Sequence, residues 1–63
     1  MDAKYYLLLS VNTDDFETPR LELYEFDQYS QLWEKLQDEL FYNRVRWYRI
    51  YWGDMLMMQK LVM

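Results

Sequence analysis

The 63-residue chain has no cysteine and no histidine, and it has one glycine and one proline. Each absence removes a class of chemistry. Without cysteine there is no disulfide and no thiolate nucleophile. Without histidine there is no imidazole base, and without both there is no zinc site built on them. One glycine cannot form a loop that cradles phosphates. Ser10 and Ser30 have no histidine to activate them. The acidic run Asp14-Asp15-x-Glu17 offers oxygen ligands but lacks the spacing of a calcium loop. The expectation is therefore a protein that is not an enzyme and that carries no cofactor and no metal. No apolar run approaches the ~18 residues of a membrane span. Tyr5–Leu9 is too short and too poorly flanked by basic residues to be a signal peptide. These features, with the missing cysteine, suit a cytoplasmic protein with no membrane partner.

What is present is apolar and aromatic. Hydrophobic residues make up 52% of the chain, and Trp, Tyr and Phe alone make up 21%. That content argues against disorder. The length allows residues 1–63 one small domain. A domain near 60 residues buries only roughly 60% of its unfolded surface, so it is marginal. Disulfides and zinc are closed as remedies, which leaves a rich core or self-association as a homodimer.

Alternation and helical spacing divide the chain. Lys4–Asn12 reads as a strand with Tyr5, Leu7, Leu9 and Val11 on one face. Thr13–Pro19 is a polar loop. Arg20–Phe26 is a second strand, with Leu21 and Leu23 opposite in sense to Glu22 and Tyr24. Asp27–Tyr42 is a helix capped by Asp27 or Ser30. Its apolar stripe is Leu32, Trp33, Leu36 and Leu40, extended by Phe41, and Gln31, Glu34, Lys35, Asp38 and Glu39 form its wet side. Arg44–Trp52 is a third strand, and Gly53-Asp54 suits a two-residue turn into a returning strand, Met55–Val62. The methionine content of that segment also allows a helix. With a regular hairpin, Trp52 opposes Met55, Ile50 opposes Met57, Tyr48 opposes Gln59 and Arg46 opposes Leu61. On the other face Tyr51 meets Leu56, Arg49 meets Met58, Trp47 meets Lys60 and Val45 meets Val62. The order β-β-α-β-β gives a two-layer α+β sandwich, one helix on an antiparallel sheet of three to four strands.

One helix is too narrow to cover this much aromatic sheet. The uncovered face is the candidate contact surface, and Trp, Tyr, Met and Arg are the types enriched in interface centres. The candidate binding residues are Arg44, Arg46, Trp47, Tyr48, Arg49, Tyr51, Trp52, Met55 and Met57. A second, acidic surface is formed by Asp14, Asp15, Glu17, Glu22 and Glu25. Charge is split: residues 1–42 hold ten acids and three bases, residues 43–63 four bases and one acid. The split has a purely internal explanation if the basic third strand neighbours the acidic second strand. It has a functional one if the acidic face steers toward a basic protein partner.

The expected function is a small acidic protein-protein interaction module, homodimeric, acting as inhibitor or accessory regulator of a macromolecular partner. Its size, acidity and element order are also the build of compact phage or mobile-element proteins that inhibit host enzymes. The alternative is single-stranded nucleic-acid binding, with bases stacked on the aromatics of residues 44–52 and guanidinium groups on phosphates. The net charge of -4 weighs against it.

Overall fold

Leu7, Leu9 and Val11 recur at every second residue, and all three are buried on one side of a strand. In the computed structural model this is β1 (Tyr5–Val11), followed by β2 (Arg20–Phe26), α1 (Tyr29–Tyr42), β3 (Val45–Trp52) and β4 (Met55–Leu61). The structure describes residues 3–12 and 19–62. The acidic residues Asp14, Asp15 and Glu17 lie outside the described residues. The four strands form one antiparallel sheet in the order β2-β1-β3-β4. With one helix on one face, this is the two-layer α+β fold that the pattern predicts. The Met-rich terminal segment is a strand, with β-sheet pairing to β3 outweighing the helical preference of methionine.

The core lies between α1 and β1. Leu32 and Leu36 of the helix pack with Leu7, Leu9 and Val11 of β1 and with Val45, Tyr48 and Ile50 of β3. The helix rests over β1 and β2, while every residue of β4 is exposed.

Several expectations are corrected. The helix N-cap is Gln28, and its backbone N–H donates to the Gln31 side chain at 3.2 Å. Asp27 instead accepts from Lys4 at 2.7 Å, and Ser30 lies inside the first turn. Phe41 does not extend the apolar stripe and is 80% exposed. One residue past Leu40 rotates it about 100° away from the sheet. Glu39 is not on the wet side but is 5% exposed, held by partners on β2 and at the helix end. The basic third strand does not neighbour the acidic second strand, because β1 lies between them.

Two bulges shift the registers. Ser10 pairs with Trp47 but Val11 pairs with Val45, so Arg46 is an extra residue on β3. Ile50 pairs with Met58 but Tyr51 pairs with Leu56, so Met57 is an extra residue on β4. Trp52–Met55 and Tyr51–Leu56 are as expected. Beyond the second bulge every pair moves by one: Ile50 opposes Met58, Arg49 opposes Gln59, Tyr48 opposes Lys60 and Trp47 opposes Leu61. An extra residue on one strand flips everything after it to the other face.

Candidate functional site

Residues paired across a ladder point to the same face of a sheet. The pairs Leu7–Tyr24 and Leu9–Glu22 therefore turn Glu22, Tyr24 and Phe26 toward the helix and leave Leu21 and Leu23 on the open face. The two leucines are 61% and 64% exposed. The open face is a grid of three rows across β2, β1, β3 and β4. One row is Glu25, Tyr6, Tyr51, Leu56, the next is Leu23, Leu8, Arg49, Gln59, and the third is Leu21, Ser10, Trp47, Leu61. Only Glu25, Ser10, Arg49 and Gln59 interrupt an apolar surface. Ser10 is fully buried although its ladder position is on the open face. A shallow depression of about 210 Å³ is lined by Trp47, Arg49, Gln59 and Leu61, with Tyr48 and Lys60.

The predicted binding residues fall into different places. Trp47, Arg49 and Tyr51 share the open face, and the Arg49 guanidinium lies 4.8 Å from the Trp47 ring centroid. Tyr48 is buried in the core. Trp52 is on the helix side, 4.6 Å from Tyr5, which meets Tyr29 at 5.6 Å, and Tyr29 stacks on Trp33 at 6.4 Å. Met55 and Met58 share that side at the β4 edge, beyond the helix, and Met57 is exposed at the bulge. Arg44 precedes β3 and Arg46 sits at the other bulge, and both are exposed. Of the acidic set, Glu22 faces the helix beside Arg20 (3.7 Å) and Tyr24 (3.1 Å), whereas Glu25 is on the open face, 3.6 Å from Lys4. Tyr6, Leu8, Leu21, Leu23 and Leu61 complete the surface without having been singled out. The alternation of Leu21 and Leu23 with Glu22 and Tyr24 was their signal.

Electrostatically the sheet has two halves. Among the described residues, Arg44, Arg46, Arg49 and Lys60 make no ion pair, while the ion pairs present lie elsewhere: Lys4 with Glu25 and Asp27, Arg20 with Glu22 within β2, and Lys35 with Glu39 within α1. The hydrogen bond and charge of Asp27 raise the Lys4 pKa above its ordinary value. Among the described residues no group of three or more acids could hold a metal ion, and no helix is long and apolar enough to cross a membrane. Comparison with family models, curated proteins and solved structures gives no match, so the functional reading rests on this geometry.

Proposed function

We propose that this chain is a small protein-interaction module that self-associates as a homodimer through the open face of its sheet. It acts in the cytoplasm on a macromolecular partner as an inhibitor or accessory regulator. The observation that carries the reading is the apolar grid, which no described element covers. A surface of this kind on a small domain gains most by leaving water, because a core of this size alone is marginal. The Met-rich edge of β4 stays outside that grid. Its flexible, polarizable side chains suit the contact with a different partner. The reading is preferred to single-strand nucleic-acid binding on two grounds: the Trp47 ring already carries its own Arg49 guanidinium, and Tyr48 is withdrawn into the core.

Light scattering across a concentration series tests the reading. Wild type should approach the mass of two chains as concentration rises. Trp47→Ala should remain a monomer where wild type has paired, and Glu34→Ala, on the outer side of α1, should behave as wild type. A wild-type mass of one chain throughout, or equal association of all three, would overturn it.

A further inference from the structure

The occupant of the open face can be specified further. Four strands about 4.8 Å apart, with seven residues at roughly 3.3 Å each, make a face about 20 Å on a side. In projection this is on the order of 400 Å², and side chains standing off the sheet add to it. A standard interface takes roughly 800 Å² from each partner. An identical face matches that footprint edge to edge and leaves none of the grid wet.

Charge then chooses how two copies stack. The midline of the sheet runs between β1 and β3. On the open face Glu25 lies on one side of it and Arg49 on the other. If two faces stack about a two-fold axis that runs across the strands, each strand lies over its own copy and Arg49 meets Arg49. Pairing β4 edge to edge also brings two basic halves together. If the axis runs along the strands, β2 lies over the partner's β4 and β1 over the partner's β3. Each acidic half then meets a basic half, and symmetry repeats the match.

We infer that the homodimer stacks open face on open face about a two-fold axis running along the strands, between β1 and β3. This rests on the homodimer proposed above. Sheets stacked in this aligned manner lie about 10 Å apart. In that arrangement Glu25 is a diagonal neighbour of the partner's Arg49, within reach of two long side chains. The partner's Trp47 lies over Ser10. Within one chain Glu25 and Arg49 are two strands apart, about 10 Å, and do not pair.

Reciprocal charge reversal tests the direction of stacking. Glu25→Arg and Arg49→Glu are purified separately, and their folds are checked by circular dichroism. Each alone sets like charges face to face and should dissociate roughly tenfold more readily than wild type. Mixed, the two variants should form heterodimers in preference to either homodimer, read by native mass spectrometry, because one contact then keeps its original signs (Arg49 with the partner's Glu25) and the other is restored with signs reversed. If either variant fails to fold, Arg49→Lys keeps the charge and provides an amine. Carbodiimide should then join that position to the partner's Glu25 in a species of dimer mass. A wild-type dimer whose two variants pair as well as wild type and mix statistically, or a cross-linked dimer lacking that linkage, would overturn the stacking direction and leave the homodimer standing. A monomeric wild type would overturn both.

Discussion

The hydroxyl of Tyr24 on β2 lies 3.2 Å from the buried carboxylate of Glu39 on α1, and 3.1 Å from Glu22 on its own strand. Lys35 reaches the same Glu39 carboxylate at 3.2 Å and sits 4.7 Å from the Tyr24 ring centroid, while the Asn43 amide donates to the other oxygen. This cluster explains why β2 turns its polar side inward. The helix end offers charged partners there, and a buried carboxylate without donors would be costly.

The cluster predicts an acid-side loss of stability. Burial pushes the Glu39 pKa up, but hydrogen bonds from Lys35, Asn43 and Tyr24 outweigh it and hold the value below the ordinary 4.5. A folded-state value below the unfolded one stabilises the protein above the unfolded pKa, and the gain is lost as pH falls through the folded value. Thermal melts of wild type should therefore fall below about pH 4.5, and Glu39→Gln should show a shallower fall over the same window. Equal slopes would mean that the network contributes nothing.

The alkaline side has the opposite sign. Burial, then the bond to Glu22 and the charge of Glu39, raise the Tyr24 phenol from 10.0 to about 12. The folded state holds that proton where the unfolded state releases it, so stability is lost between pH 10 and about 12. Tyr24→Phe should remove this component. At neutral pH it should cost about 1 kcal/mol for the lost hydrogen bond, which in a domain of this size is roughly 4–8 °C in Tm. Chemical denaturation at two pH values separates the two effects.

Elements of this fold were legible because each carries one strong period. Tyr5 to Val11 alternates, Leu32 and Leu36 are four apart, and Gly53 marks its turn. What was not legible depends on neighbours distant in sequence. The inward side of β2 could not be chosen from Leu21, Glu22, Leu23 and Tyr24 alone, because the choice rests on Glu39 and Lys35. The bulges at Arg46 and Met57 have no local sign: a methionine or arginine fits a regular strand equally well. The burial of Tyr48 follows from its place opposite Leu9 and two residues from Ile50, so the predicted cluster of stacking aromatics lost one member to the core while Trp47, Arg49 and Tyr51 stayed together on the open face.

The hairpin turn provides a local test. Gly53 has φ +60°, where an L side chain is strained, and its N–H donates to the Lys4 carbonyl at 2.8 Å. A Cβ added there would meet Ala3 at an ordinary 3.6 Å, so only the backbone term opposes it. Gly53→Ala should therefore cost about 1–2 kcal/mol, and Gly53→Asn less, because asparagine tolerates this region better. Urea titration of the three proteins reads the order directly. Equal midpoints for Gly53 and Gly53→Ala would show that the turn relaxes.

Leucines on the two faces should fail differently when they are shortened. Leu7 is fully buried against the helix, whereas Leu23 is 64% exposed on the open grid. Leu7→Ala removes core contacts and leaves a cavity, at a cost of about 2–5 kcal/mol, a large share of the stability a domain of this size commands. It should unfold or melt far below wild type at any protein concentration. Leu23→Ser removes no core packing, so the dilute monomer should melt as wild type does. At concentrations where wild type has paired, however, its melting temperature should lag, because association stabilises the folded state by mass action. Melts at low and high concentration for both variants separate the roles. A concentration-independent loss in Leu23→Ser would place that side chain in the core of the single chain and remove it from the interface.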